Sequence, residues 1–205
     1  MTAVSSESAN RGATSESTAR PGGSAMDAAA KLVDEQGLDE LTFVGLAEEM
    51  GVEPAALYNR VSSMDALRAA LTYRAFRELA QALRAATQGY SGDTAVVKLA
   101  LAYRLYAQQH PGLYETLLRA LRNPDAGTES AAGAIIELIA DVLRDYGLDG
   151  DVAVHAARSL RSALHGFVAL EVGDGFTLPQ GVDESFESLV DLLLGGIHAI
   201  ASETG

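Results

Sequence analysis

The chain has 205 residues, enough for one domain or two small ones, and 48% of them are hydrophobic, which is typical of a globular protein. It contains no cysteine, and this excludes disulfide scaffolds, thiolate zinc sites and thiol nucleophiles. The formal net charge of −13 by itself disfavours a partner as anionic as nucleic acid.

The first 24 residues contain Ser, Thr and Gly and almost no large apolar side chain. Such a segment buries too little apolar surface to offset the entropy of ordering it, so we predict a flexible arm over residues 1–24. The segment has no apolar leader, and no stretch of the chain has the ~18 consecutive apolar residues that a membrane span requires. The sequence therefore predicts a cytoplasmic protein with no membrane partner.

From residue 25 onward, apolar residues recur at helical spacing, and capping and turn residues separate the repeats. No alternating strand pattern interrupts them. We therefore predict an all-α protein with about nine helices. The predicted helices span residues 25–36, 43–50, 54–61, 62–86, 93–109, 111–121, 128–146, 151–172 and 183–202.

Residues 42–61 have the composition of two short helices joined by a tight turn, the pattern of a helix-turn-helix. We predict that Thr42 caps the first helix, that Gly51 ends it and that Pro54 opens the second. Leu57 belongs to the apolar side of the second helix and is predicted to hold it on the domain. The other side of that helix is then free to meet a partner.

Two runs of sequence resemble the tetracycline-repressor (TetR) family. The run LTFVGLAEEMGVEPAALYNRVSSMDAL (41–67) is similar to the family's DNA-binding signature. Its matching positions are Leu41, Thr42, Leu46, Ala47, Gly51, Val52, Leu57, Tyr58, Val61 and Leu67. The run SALHGFVALEVGDGF (162–176), with DESFESLVDLLLGGI after it, resembles the C-terminal domain of WHG-type members. The resemblance implies a helix-turn-helix domain over 25–72 and a ligand-binding and dimerisation domain over 73–205.

The second short helix is the candidate reading helix, which enters the major groove of DNA. Arg60 suits a guanine or a phosphate, and Asn59 suits an adenine. Tyr58 is similar to the family's phosphate-contacting tyrosine. The alternative is that these are ordinary surface residues of a helical domain. The candidate DNA-binding residues are Thr42, Pro54, Ala55, Ala56, Tyr58, Asn59 and Arg60.

The charge of the helix-turn-helix domain conflicts with this interpretation. Residues 25–72 carry nine acidic side chains against three basic ones, Lys31, Arg60 and Arg68. Few cationic contacts make the counterion-release contribution small, so affinity at physiological salt should be weak. A dimer doubles the contacts, and Arg11 and Arg20 of the arm can add to them. The sequence therefore predicts specific but salt-sensitive DNA binding.

Apolar faces on the last two helices predict a homodimer. Two such helices from each protomer make a four-helix interface with two-fold symmetry, and small residues such as Gly166 allow close approach. The alternative is that part of each face belongs to the protomer's own core. The candidate interface residues are Leu160, Ala163, Leu164, Phe167, Leu189, Leu193 and Ile197.

The resemblance also implies an effector cavity among the helices between about residues 62 and 172, where most of the large aromatic side chains fall. Core packing is the alternative for each of them. For His165 the alternative is a hydrogen bond to a neighbouring helix, with Glu171 pairing with it or with Arg161. The candidate ligand-binding residues are Tyr73, Phe76, Tyr103, Tyr106, Tyr114, His165 and Phe167.

Enzyme motifs are absent from the sequence: the four histidines form no i,i+4 metal pair, and no nucleophile elbow or phosphate loop occurs. We therefore expect no metal, no cofactor and no catalysis. The leading interpretation is a homodimeric transcriptional repressor that a small-molecule effector releases from a palindromic operator in double-stranded DNA. The alternative is an acidic helical dimer that keeps this scaffold, binds a ligand or a protein, and has lost effective DNA binding.

Overall fold

The computed structural model describes residues 24–58, 61–120 and 126–204. Within these ranges the chain forms nine α-helices, two short 3-10 helices and no strand, and the predicted fold class is confirmed. The α-helices are α1 (Ala25–Gln36), α2 (Phe43–Met50), α3 (Pro54–Leu57), α4 (Met64–Thr87), α5 (Gly92–Gln109), α6 (Pro111–Ala120), α7 (Ala126–Leu143), α8 (Gly150–Val172) and α9 (Val182–Thr204). The 3-10 helices are Leu38–Glu40 and Arg144–Tyr146. The predicted arm lies outside the described residues.

Short polar side chains begin the helices of the N-terminal domain. The Thr42 hydroxyl oxygen accepts a hydrogen bond from the Gly45 N–H at 3.0 Å, and Ser63 accepts one from Ala66 N–H at the start of α4. Gly51 ends α2 in the left-handed conformation, with φ 65°. These caps satisfy backbone groups that a helix end leaves without partners. The predicted bounds of α1 and α2 are confirmed for this reason.

Helix α3 is shorter than the predicted helix over residues 54–61. It ends at Leu57, and Val61 is not helical, although its N–H still donates to the Leu57 carbonyl at 2.8 Å. Ser63 must adopt an extended backbone to cap α4, so the chain leaves the helix before that residue. Asn59 and Arg60 lie outside the described residues.

A single core runs from the N-terminal helices into the bundle. Helix α4 links the two parts, because it packs on α1 as well as on α5, α6 and α7. Its Leu67, Leu71, Leu79 and Leu83 side chains are all buried. The predicted domain boundary between residues 72 and 73 therefore falls inside a continuous helix.

Helices α1 and α6 meet at a contact that we call the α1–α6 junction. The Asp34 carboxylate accepts a hydrogen bond from the Leu113 N–H at 2.8 Å and lies 2.9 Å from Nδ1 of His110. Gly112 lies directly on the backbone of α1, since a Cβ at this position would be 1.9 Å from the Val33 carbonyl oxygen. The junction thus joins the N-terminal helices to the helical bundle.

We expect Gly112→Ala to lower the free energy of unfolding by about 1–3 kcal/mol, because α6 must move away from α1 to admit the methyl group. Gly133→Ala is the matched control, since Gly133 lies in the interior of α7 with nothing within 4 Å of an added Cβ. That substitution should raise stability by about 0.5–1 kcal/mol through helix propensity. Urea unfolding at one fixed protein concentration measures both values. Equal effects at the two glycines would contradict the close packing of the junction.

Candidate nucleic-acid interface and effector site

Helix α3 exposes the residues that the sequence predicts to face DNA. Pro54, Ala55 and Ala56 are exposed, whereas Leu57 is completely buried. Pro54 occupies the start of the helix, where its missing N–H costs no hydrogen bond. The small outward side chains let the backbone of α3 approach a groove closely.

Tyr58 follows α3 directly and stands out from the surface, with 65% of the residue exposed. Its ring stacks on Phe43 at the start of α2, with 4.6 Å between ring centroids. The stack fixes the direction of the ring, and the Tyr58 hydroxyl forms no hydrogen bond within the described ranges. A phosphate oxygen is a suitable acceptor for this hydroxyl.

Thr42 is exposed at the N-terminus of α2, beside the Tyr58 ring that packs on this helix. Its hydroxyl oxygen is occupied as the cap of α2, and the hydroxyl proton remains a donor. The free amides and the positive dipole at a helix N-terminus favour an anion at this place.

The basic residues of this domain are committed to acceptors of the same chain. Lys31 pairs with Glu49 at 2.7 Å and with Glu35 at 3.7 Å. Arg68 donates to the Leu41 carbonyl at 3.0 Å and lies 3.7 Å from Asp65. To bind a phosphate, each of them has to share or give up these contacts. The third cation of the domain, Arg60, and the arginines of the arm lie outside the described residues.

The predicted ligand-binding residues do not line one common cavity. Tyr73 and Phe76 line a cavity of about 400 Å³ between α4 and α7, whereas Tyr106 lines one of about 580 Å³ beside the α1–α6 junction. His165 lines a third, of about 350 Å³, between α7 and α8. Phe167 contacts Phe176 and Phe186 where α8 meets α9. The sequence indicates that these aromatic side chains lie in the helical bundle, but it does not indicate that they line separate cavities.

His165 hydrogen-bonds to side chains of neighbouring helices, which is the alternative to ligand binding that the sequence analysis gives for this residue. Its Nδ1 lies 2.6 Å from the Tyr114 hydroxyl of α6 and 3.2 Å from the Tyr103 hydroxyl of α5. Burial and the positive charge of Arg161 lower the pKa of His165 to about 4, so the ring is neutral near pH 7. Burial raises the pKa of Tyr114, so its hydroxyl keeps its proton and hydrogen-bonds to the neutral ring at Nδ1.

The expected pairing of Glu171 with His165 or Arg161 is wrong. The Glu171 carboxylate binds Arg104 of α5, with Nε to Oε2 at 2.8 Å, and accepts from Gln108 at 3.1 Å. Six residues along a helix correspond to about 600°, so Glu171 and His165 face different directions. The Arg104 guanidinium also reaches Asp183 at 2.6 Å and ties α5 to α8 and α9.

The predicted dimer face needs correction as well. Leu160, Leu164 and Ile197 are buried within the protomer, so they belong to its own core and offer no surface to a partner. Ala163, Phe167, Leu189 and Leu193 are only partly buried. Other apolar and small residues of the two helices are exposed. Those considered below are Gly166 and Leu170 of α8 and Leu192, Gly195, Gly196 and Ala199 of α9.

Sequence reasoning missed Arg158 and Ser162, which line the same cavity as His165. Arg158 lies three residues before Arg161, and Ser162 lies three residues before His165. This helical spacing places all four on one face of α8, and it is the signal that could have identified them. Within the part of the chain that the structure describes, no group of three His, Asp or Glu side chains is placed to hold a metal ion. None of the described helices is both long and apolar enough to cross a membrane.

Comparisons with known proteins agree with this geometry. Residues 25–71 match the family model of bacterial regulatory proteins of the tetR family, and residues 96–193 match that of the tetracyclin repressor-like C-terminal domain. The HTH-type transcriptional regulator Rv0681 of Mycobacterium tuberculosis is 37% identical over 184 residues, covering 89% of this chain and 84% of that protein. The HTH-type transcriptional regulator YobS of Bacillus subtilis is 33% identical over 173 residues, covering 84% and 90%. The crystal structure of regulatory protein SCO4313 is 29% identical with a TM-score of 0.68, covering 83% and 93%.

Proposed function

Since the chain belongs to the TetR family of DNA-binding transcriptional regulators, we propose that it is a repressor which a small-molecule effector releases from a palindromic operator. The observation that carries the proposal is the exposed surface of α3, held on the domain by Leu57 and bordered by the stacked Tyr58. A surface of this kind fits the major groove.

On this proposal, the reading helix makes few charged contacts with DNA. Ala55 and Ala56 offer apolar contacts to thymine methyl groups, and Tyr58 and Thr42 offer hydroxyls to phosphates. Arg60 is the proposed base-reading side chain, because guanidinium groups recognise guanine. Lys31 and Arg68 add little, since both already bind acceptors of their own domain.

The proposed dimer uses the outer face of α8 and α9. Leu192 is 74% exposed and Leu170 is 52% exposed. Gly166 lies one helical turn from Leu170, and Gly195 and Gly196 lie one turn from Leu192. All three glycines have nothing within 4 Å of an added Cβ, so two such faces can approach closely. A two-fold axis through this face gives two reading helices, as an operator with two half-sites requires.

A specific observation also favours the second candidate function, a ligand-binding or protein-interaction dimer without effective DNA binding. Both described basic residues of the helix-turn-helix domain already contact acceptors of that domain, Lys31 a carboxylate and Arg68 a backbone carbonyl, and its acidic side chains outnumber its basic ones. Such a surface gains little from counterion release. The two candidates differ in one property, which is specific affinity for a duplex.

Selection from random DNA duplexes at low salt tests the proposed function. We expect the full chain to enrich a sequence with two-fold symmetry whose half-sites lie about one helical turn, or about 10 base pairs, apart. Arg60→Ala should then cost about 1–3 kcal/mol of operator binding and relax the base preference at one position of each half-site. Tyr58→Phe keeps the ring stack and should weaken all duplexes alike. A pool with no enriched sequence would support the second candidate instead.

We expect Leu192→Glu to convert the dimer into a monomer, because it places two carboxylates against each other across the two-fold axis. Leu101→Glu is the matched control, since Leu101 is a similarly exposed leucine on α5, outside the proposed face. Light scattering at micromolar concentration measures the mass of each variant. A monomeric unsubstituted chain, or a Leu192→Glu variant that stays dimeric, would overturn the proposed interface.

A further inference from the structure

The cavity between α7 and α8 concentrates positive charge in an acidic protein. Arg158, Arg161, Ser162 and His165 of α8 line one side of it, and Ala132 and Ile136 of α7 line the other. Its volume is about 350 Å³, within the range of cavities that hold small molecules. The chain carries a net charge of −13. The cavity between α4 and α7 is also lined by two arginines, Arg77 and Arg84, but of the two cavities only the α7–α8 cavity is lined by a histidine as well.

Neither arginine of this cavity has a carboxylate partner among the described residues. Five other described arginines form ion pairs, and these are Arg68, Arg74, Arg104, Arg119 and Arg144. Arg161 is half-buried, and its positive charge acts on both the Tyr103 hydroxyl and the His165 ring. A guanidinium that is partly withdrawn from water and has no counter-charge loses hydration free energy, and binding an anion offsets this loss.

The Tyr–His network behind the cavity adds a neutral polar group to the two cations. Nδ1 of His165 is hydrogen-bonded to the Tyr114 hydroxyl, so Nε2 is the ring nitrogen left to contact a ligand. No side-chain polar atom buried within the described ranges lacks a hydrogen-bond partner, and Nε2 has none recorded. Nε2 is therefore accessible to solvent, and the cavity is the space that His165 lines. The Ser162 hydroxyl supplies a hydrogen-bond donor at the same wall.

The opposite wall is apolar, and this sets the chemistry of the rest of the ligand. Ala132 is buried and Ile136 is half-buried, and neither offers a side-chain hydrogen bond. An inorganic anion would leave this wall in contact with water. A carboxylate with a short apolar body satisfies both walls, because the carboxylate matches the planar guanidinium fork and the body covers the apolar side chains.

We propose that the α7–α8 cavity binds a small organic carboxylate, with its anionic group on Arg158 and Arg161 and its apolar body along α7. The proposed binding site depends only on the observed cavity and its charged side chains. Its role as the effector site of the regulator rests on the proposed function.

Calorimetric titration of the full chain with benzoate and hexanoate tests the site, with benzamide and hexanamide as matched neutral probes and inorganic phosphate as the matched inorganic anion. We expect at least one carboxylate to bind about 10-fold or more tightly than its amide and than phosphate. Arg158→Gln and Arg161→Gln should each weaken that carboxylate by about 10-fold or more, the loss of one charge-assisted contact. Arg77→Gln is the control, because Arg77 lines the separate cavity between α4 and α7 and is also without an ion pair among the described residues. It should leave the affinity unchanged.

The proposal is overturned if neither carboxylate binds, if amide or phosphate binds as well as carboxylate, or if Arg158→Gln has no effect. Arg158 is exposed, so this variant keeps the test decisive even where Arg161→Gln disturbs the core. Fluorescence anisotropy on the selected operator, with and without the bound carboxylate, separates the two claims. If the carboxylate binds but operator affinity does not change, the binding site is supported and its proposed role as the effector site is wrong. If the chain binds its operator but no carboxylate, the proposed regulator is supported and the proposed site is wrong.

Discussion

The carboxylate of Asp34 holds the DNA-binding helices to the helical bundle. It accepts the Leu113 N–H in the first turn of α6 and lies against His110, so it also meets the positive end of the α6 dipole. Gly112 brings the two backbones into contact at the same place. Helix α4 is the other connection, and it crosses both parts without a break. The direction in which α3 points relative to the bundle therefore depends on these two connections. Asp34 makes the less exposed polar contact with α6, and the Asp39–Arg119 ion pair makes a more exposed one.

The acidic character of the helix-turn-helix domain has a structural use. Glu49 holds Lys31 across α1 and α2, and the Leu41 carbonyl holds Arg68 of α4 just before α2 begins. These contacts tie α2 to its neighbours and leave the stacked pair of Phe43 and Tyr58 at the surface. In such a domain the basic side chains stabilise contacts between its own helices. On the proposed function, such a domain gains little from counterion release, so shape and hydroxyl contacts contribute more to DNA recognition.

Local signals in the sequence predict the helices well. Features that depend on contacts between residues far apart in the chain could not be predicted. The Thr42 cap and Gly51 fixed the ends of α2 because both act within one turn of the helix. Periodicity identified apolar faces on α8 and α9 but not what they pack against, so buried Leu160 and Leu164 were assigned to the dimer face. The Arg104 to Glu171 ion pair joins positions far apart in the chain and has no local signal.

The most direct test of the role of Asp34 is the distance between the two DNA-binding domains of the proposed dimer. The chain has no cysteine, so Val44→Cys on exposed α2 gives one spin label per protomer. Double electron–electron resonance should give a single narrow distance distribution, which Asp34→Ala broadens while circular dichroism shows unchanged helix content. Asp39→Ala removes an exposed ion pair with Arg119 and should leave the distribution narrow. An Asp34→Ala dimer with the same narrow distribution would contradict the account.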